Sequence, residues 1–291
     1  MAILLQNLLG GLSAGALYGL AALGLTAVFQ TTGMVNFAQG DMAMVCTFVG
    51  FTLLSYMKVP YGLSLLLVLA FALGFGSLLE RGLMRPLMRQ PHVSQIMVTL
   101  GLAMILNGIA GQIWGFEPHA FKAPLGGDPY RFVGLALSKD SLLIFGISAL
   151  IVLSLFLFFK FTLAGTALRA TAQNATAAKL MGIPIGMAFN MSWAVAAVLS
   201  ATAGVLIAPS TTLDPNFMAE VGIKAFAGAI LGGFSSLPGA VLGGLFLGVL
   251  ESLVAGYIST ELKSVFSFSL ILLVLVVRPY GLLGSPARKK V

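Results

Sequence analysis

The sequence predicts an all-α, polytopic bundle of transmembrane helices, and three observations support this fold class. Of the 291 residues, 58% are hydrophobic and only 9% are charged, whereas a soluble domain carries roughly 25% charged residues. The apolar residues form continuous runs close to the ~20 residues that a helix needs to cross a bilayer, without the period-two alternation of a transmembrane barrel. The 35 glycines are typical of helices that pack closely in lipid.

Nine apolar runs divide the chain and predict eight or nine membrane segments in a single transmembrane domain covering residues 1–291. The runs lie at about residues 8–29, 42–57, 61–79, 93–114, 141–159, 185–208, 221–234, 239–257 and 265–277. Two of them, 221–234 and 265–277, are short for a bilayer about 30 Å thick. We expect broken or re-entrant helices there.

The charged residues predict the orientation. Residues 80–92, residues 160–183 and the tail from residue 278 hold ten bases and one acid, Glu80, whereas the intervening loops hold four bases and six acids. By the positive-inside rule, the first set and the C-terminus face the cytoplasm. The net charge of +7 is thereby explained, and no basic cluster with interleaved aromatic residues indicates a nucleic-acid partner.

Glycines at four-residue spacing predict close helix packing, because they form stripes that a neighbouring backbone can approach. The stripes of the first run and of the C-terminal region contain Gly11, Gly15, Gly19, Gly228, Gly232, Gly239, Gly243, Gly244 and Gly248.

The first break in the helical pattern lies at residues 31–42, between the first two runs. It contains Asn36, Gln39 and Asp41. Irregular backbone at membrane depth is tolerated only against protein or a water-filled cavity, so these residues are candidates for lining a translocation pathway. The alternative is an ordinary turn in which Asp41 caps the next helix.

A second break at residues 232–239 contains Ser235 and Ser236, and Glu251 follows inside an apolar run. An ionised group there costs roughly 2.5–3.5 kcal/mol on insertion scales. Glu251 therefore needs a partner or water, and Lys224 is a candidate partner. The alternative is that both residues lie near the faces of the membrane. We add Ser235, Ser236 and Glu251 to the pathway candidates.

The cytoplasmic connector, residues 165–184, is rich in alanine and predicts one short helix outside the membrane. Thr166 can cap its start, and Gly182 followed by Pro184 can end it. Arg169, Gln173 and Thr176 would share one stripe of this helix. The periodicity alone favours a solvated link between two spans.

Three stretches resemble the permeases of bacterial branched-chain amino-acid ABC importers, in particular the smaller of the two permease subunits. They are residues 33–42 (GMVNFAQGDM), residues 165–170 (GTALRA) followed by 177–183 (AAKLMGI), and the glycine-rich region 228–248. The resemblance covers nearly the whole chain.

The resemblance implies a multi-pass permease of the bacterial inner membrane that translocates leucine, isoleucine and valine. The connector would be a coupling helix that docks on an ATPase, and Gly165, Arg169, Ala170 and Gly182 would take this role. The implied partners are a second homologous permease, two ATP-binding subunits, a periplasmic substrate-binding protein and membrane lipid. The acidic Glu-Ala-Ala opening of the older permease consensus is absent.

Other functions stay open at this point. Related permeases of the same family are similar to importers of urea and short amides. A stand-alone secondary transporter or channel would need more interior charge and would leave the connector without a purpose. An enzyme would need a catalytic or metal set, yet His92 and His119 are isolated in loops, and the single cysteine, Cys46, excludes a disulfide within the chain. We therefore expect no catalytic residue, metal or cofactor, with ATP hydrolysis by separate subunits.

Overall fold

The computed structural model describes residues 2–88, 90–124, 130–132 and 135–284. The helices are α1 Ala2–Thr32, α2 Gln39–Phe51, α3 Tyr61–Leu79, α4 Arg85–Leu87, α5 His92–Trp114, α6 Lys139–Phe161, α7 Leu163–Gln173, α8 Ala175–Leu180, α9 Ile185–Ile207, α10 Ala219–Gly232, α11 Leu237–Tyr257 and α12 Lys263–Val277. Two π-helical segments, Thr52–Tyr56 and Glu80–Met84, continue α2 and α3, and a 3₁₀ turn Ala208–Ser210 follows α9. Strands β1 Tyr130–Phe132 and β2 Leu135–Leu137 pair in antiparallel orientation.

Six of the described helices are long and apolar enough to cross a membrane: Ile3–Thr32, Tyr61–Leu87, His92–Trp114, Lys139–Phe161, Ile185–Ser210 and Leu237–Tyr257. The other three predicted runs fall on the shorter helices α2, α10 and α12, of 13, 14 and 15 residues. At about 1.5 Å per residue, α10 is only about 21 Å long. The runs at 221–234 and 265–277 thus form short helices, and eight or nine membrane segments with broken or re-entrant helices stay a prediction.

Unit 1, one of two compact units of the chain, contains α1 up to Thr26, α6 up to Ala149 and the chain from Ile223 onward. In this unit the glycine stripe of α1 lies directly on the backbone of α11. A Cβ added to Gly11 would lie 2.8 Å from the Cα of Val249, and one added to Gly15 would lie 2.7 Å from the Cα of Leu245. Gly19 makes a similar approach to Val241.

Close packing of glycines also joins α10 to α11 within unit 1. A Cβ on Gly228 would lie 3.0 Å from the Cα of Gly244, one on Gly243 would lie 2.7 Å from the Gly232 nitrogen, and Gly232 and Gly239 touch each other through their backbones. Close backbone approach of this kind brings many atoms into van der Waals contact, which is the main attraction between helices in lipid.

Replacing Gly15 with alanine should therefore destabilise the protein. The added methyl group would overlap backbone atoms of α11, which cannot rotate away, and overpacking typically costs about 1–3 kcal/mol. Unfolding of the purified protein in detergent measures this loss. The control is Gly74→Ala, a substitution within α3 where a Cβ meets nothing within 4 Å. Equal stability of the two variants would contradict the packing role.

Unit 2 runs from Ala27 to Pro124 and from Leu150 to Gly222, and α9 lies at its centre. Most of α9 is buried, including Trp193 and a long run of alanine and serine residues. Its small side chains admit α3 on one side, where a Cβ on Gly76 would lie 2.6 Å from the Trp193 carbonyl oxygen. On another side they admit α2, where a Cβ on Gly204 would lie 3.1 Å from the Ala43 carbonyl oxygen.

Both predicted breaks are present but shorter than expected. The first covers only residues 33–38, because α1 continues to Thr32 before Gly33 turns the chain with φ of +73°. Asp41 is not the N-cap residue of α2, which begins at Gln39, but it lies in the first turn, where a negative charge interacts favourably with the helix dipole. In the second break, Gly233 has φ of +100°, and the Ser236 hydroxyl oxygen accepts a hydrogen bond from the Gly239 N–H at 3.1 Å, which caps α11.

The prediction of one connector helix is wrong, because the connector contains two. Thr162 and not Thr166 caps α7, accepting a hydrogen bond from the Gly165 N–H at 2.9 Å. Asn174 then leaves helical geometry and caps α8 through the Ala177 N–H at 3.1 Å. Short polar side chains that bond to nearby backbone favour such interruptions, so Arg169, Gln173 and Thr176 do not lie on one continuous stripe.

Some residues of the orientation argument, Arg89, Asp128 and the basic tail residues Arg288, Lys289 and Lys290, lie outside the described residues.

Candidate functional site

The first pathway candidates, Asn36 and Gln39, are buried within unit 2 and bind each other. The Asn36 Nδ2 donates to the Gln39 Oε1 at 3.0 Å, and the Asn36 Oδ1 accepts from the Ala38 N–H at 3.1 Å. The Gln39 Nε2 donates to the Ala196 carbonyl at 3.0 Å and to the Ser200 hydroxyl. These bonds attach the break at 33–38 to α9.

Gln39 is thus the residue that secures the start of α2, with both amide hydrogens used inside the chain. Asp41, two residues later, is partly buried. The role of Asn36, Gln39 and Asp41 in lining a pathway stays a prediction. Because of these hydrogen bonds, a substitution at Gln39 also alters the packing of α2 on α9.

Replacing Gln39 with leucine should reduce the transport that the family resemblance implies, while the chain stays in the membrane. The leucine cannot accept the Asn36 hydrogen bond or donate to α9, and a lost buried hydrogen bond costs about 1–3 kcal/mol for each polar group left unsatisfied. Uptake of radiolabelled leucine, the cargo that the resemblance implies, measures the effect beside the abundance of the chain in membranes. Asn107→Leu is the matched amide control, because Asn107 bonds to Pro215 and Asn216 elsewhere in unit 2. Unchanged uptake in the Gln39 variant would contradict a role at this break.

In unit 1, Glu251 forms a buried ion pair with Lys224. The Lys224 Nζ lies 3.0 Å from the Glu251 Oε2, and the two residues are only 4% and 5% exposed. The Tyr18 hydroxyl donates to the same Oε2 at 3.2 Å, and the Ser267 hydroxyl lies 3.2 Å from the Oε1. The ammonium group also stands 5.4 Å from the centre of the Tyr18 ring.

This cluster holds four helices of unit 1 together, since Tyr18, Lys224, Glu251 and Ser267 belong to α1, α10, α11 and α12. Burying either charge alone is costly, whereas a pair with extra hydrogen bonds offsets the loss of solvation. The sequence identified Glu251 and Lys224 but missed Tyr18 and Ser267. A tyrosine inside a glycine stripe was the available signal, because a buried tyrosine hydroxyl usually needs a polar partner.

The two serines of the second break differ in exposure: Ser235 is exposed, and Ser236 is partly buried as the α11 cap. Their part in a pathway stays a prediction.

The connector is anchored to α6 at one end of unit 2. A Cβ on Gly165 would lie 2.6 Å from the Cα of Phe159, so only glycine lets α7 fold back so tightly on the end of α6. Leu168 and Thr171 are buried on the inner face of α7. Arg169 is exposed and makes a long bond of 3.4 Å to the Thr166 hydroxyl, Ala170 is partly buried, and Gly182 turns the chain with φ of +84°.

The outer surface of α7 and α8 combines apolar and basic side chains. Leu163 is 92% exposed and Leu180 and Met181 are each 84% exposed. Arg169 and Lys179 stand exposed on the same two helices. Such a surface offers an apolar contact and a charge contact to another protein.

Comparison with known proteins identifies the family. A family described as the permease component of the branched-chain amino acid transport system matches residues 7–275. The chain belongs to this family. It is 34% identical over 304 residues to the high-affinity branched-chain amino acid transport system permease protein BraD of Pseudomonas aeruginosa, covering 99% of this chain and 98% of that protein.

Two further relatives define the range of the similarity. The high-affinity branched-chain amino acid transport system permease protein LivH of Salmonella typhimurium is 32% identical over 300 residues, covering 99% of this chain and 97% of that protein. The xylose/arabinose import permease protein XylH of Sulfolobus acidocaldarius is 27% identical over 242 residues, covering 79% and 65%. These relatives are named as permeases, and the six long apolar helices of the described residues fit a multi-pass membrane protein.

Proposed function

We propose that this chain is the membrane-spanning permease subunit of an ATP-driven ABC importer in the bacterial inner membrane. Its partners are a second homologous permease, two ATP-binding subunits that hydrolyse ATP, and a periplasmic substrate-binding protein. The observation that carries the proposal is the nearly full-length similarity to permeases whose names state high-affinity branched-chain amino acid transport.

The proposed cargo is leucine, isoleucine or valine. A path for such a molecule needs dipoles and amides for its charged ends and an apolar wall for its side chain. The chain supplies both kinds of group, although the amides of Asn36 and Gln39 already bond within the chain. A change in the packing of α2 would be required before they could face a substrate.

In this proposal, the ATP-binding subunits move the connector mechanically from the cytoplasmic side. The C-terminus lies on the same side. The apolar and basic surface of α7 and α8 would dock on an ATP-binding subunit, with Arg169 as a charge contact. Gly165 and Gly182 act indirectly: Gly165 fixes α7 on α6, and Gly182 sets the turn toward α9. Rigid attachment at both ends would turn closure of the ATP-binding subunits into movement of the adjoining spans.

Uptake by cells that lack this gene tests the proposal. We expect loss of radiolabelled leucine uptake, its restoration by the intact gene, and no uptake once ATP is depleted. Labelled urea and labelled xylose serve as competing cargoes. Restoration of urea or xylose uptake alone would replace the cargo assignment, and leucine uptake by the lone chain in vesicles without ATP would contradict the importer assignment.

A further inference from the structure

Glu80, the lone acid among the ten bases of the predicted cytoplasmic segments, is fully buried in unit 2. It is 0% exposed and begins the π-helical segment Glu80–Met84 that follows α3. Its carboxylate oxygens accept hydrogen bonds from the Arg85 Nε at 3.1 Å and the Arg85 Nη2 at 3.0 Å. A fork of this kind is a strong and directional form of ion pair, and π-helical segments are frequent at functional positions.

Glu80 also binds α9. The Asn190 Nδ2 donates to the Glu80 Oε2 at 3.0 Å and to the Ser77 carbonyl at 3.0 Å, and the Arg85 Nη2 donates to the Gly186 carbonyl at 2.8 Å. Gly186 and Asn190 are four residues apart and so lie on one face of α9. The first two turns of α9 are therefore fastened to the end of α3 through the Glu80–Arg85 pair and the Ser77 carbonyl.

The contacts of Glu80 with α9 lie close to the connector along the chain. Only residues 181–184 separate the end of α8 from the start of α9 at Ile185. One turn beyond Asn190, the backbones of α9 and α3 meet at Trp193 and Gly76. A displacement of the connector that travels along the chain into α9 therefore meets the Glu80 contacts within the first two turns of that helix.

We propose that Glu80 is a positioning residue for transport, which with Arg85 and Asn190 locks α9 to α3 so that connector movement is passed to both helices together. The inference rests on the proposed function, because it assumes that ATP-binding subunits move the connector. A purely structural ion pair would affect stability, whereas a positioning residue affects the amount of substrate moved for each ATP hydrolysed.

The test is Glu80→Gln in the complete importer, reconstituted in liposomes with its ATP-binding subunits and substrate-binding protein. The glutamine keeps the shape of the side chain but loses the charge and one acceptor of the Arg85 fork. We expect about a tenfold fall in leucine transported per ATP hydrolysed, within the range typical of coupling between sites, with the KM for ATP and subunit assembly unchanged. The matched control is Glu261→Gln, the same change at an exposed residue, which should leave the ratio unchanged.

Arg85→Lys provides a second variant, because lysine keeps the charge but cannot bind Glu80 and Gly186 with a fork. Should Glu80→Gln fail to assemble, a lowered ratio in Arg85→Lys supports the inference and a normal ratio overturns it. A normal ratio in Glu80→Gln overturns the inference directly. Arg169→Glu tests the proposed function separately. If Arg169→Glu uncouples ATP hydrolysis from uptake while Glu80→Gln does not, only the role of Glu80 is rejected.

Discussion

Replacing Lys224 with methionine should lower the free energy of unfolding by about 3–5 kcal/mol, the usual cost of removing one partner of a buried ion pair. The Glu251 carboxylate would keep the hydroxyls of Tyr18 and Ser267 but lose its opposing charge. Unfolding of the purified protein in detergent and its abundance in membranes both measure the loss. Because the cluster joins α10 to α1, α11 and α12, the short helix α10 should be the first to become accessible to protease.

A double variant tests whether the loss of stability comes from the charge that is left unpaired. Lys224→Met combined with Glu251→Met removes both charges, and such replacements are often neutral or stabilising, so stability should return close to that of the parent. Lys122→Met, at an exposed residue, is the control for the single change. A double variant as unstable as Lys224→Met would contradict the explanation by an unpaired charge.

Replacing Arg169 with glutamate should leave insertion and abundance unchanged while uncoupling ATP hydrolysis from uptake. Arg169 is exposed and makes only a long bond to Thr166 among the hydrogen bonds of the described residues, so the fold does not depend on it. A reversed charge at a protein contact typically acts by repulsion. We expect at least about a tenfold fall in leucine uptake per ATP hydrolysed, within the range of coupling energies between sites.

Arg278→Glu makes the same change of charge at an exposed residue just after α12 and should transport normally. Normal uptake by the Arg169 variant itself would remove this residue from the coupling surface. Loss of uptake in both variants would instead point to a general effect of charge on orientation.

The sequence predicted the helical elements well, because each depends on a local pattern. All nine apolar runs fall on helices, and both breaks lie where glycine and polar residues interrupt hydrophobic runs. Lys224 and Glu251 were predicted as a pair since a charge inside an apolar run needs a partner. These inferences need only the composition of one segment at a time.

The errors arose where one side chain decided the outcome or where distant segments met. Asn174 divides the connector because its side chain captures the Ala177 N–H, and an alanine-rich pattern conceals this competition. The bonds of Gln39 to Ala196 and Ser200 were not predicted, because they depend on how α2 packs on α9, and its role as a pathway residue stays a prediction. One partner of Glu80, Asn190, likewise belongs to α9 and lies 110 residues later in the chain.

Site-specific photocrosslinking from position 176, on the exposed surface of α8, tests most directly whether a separate motor drives this permease through its connector. In membranes containing the complete importer, we predict a crosslink from this position to an ATP-binding subunit, with a yield that changes when ATP is bound. A crosslink to the substrate-binding protein, or none to any ATP-binding subunit in an intact complex, would contradict the account.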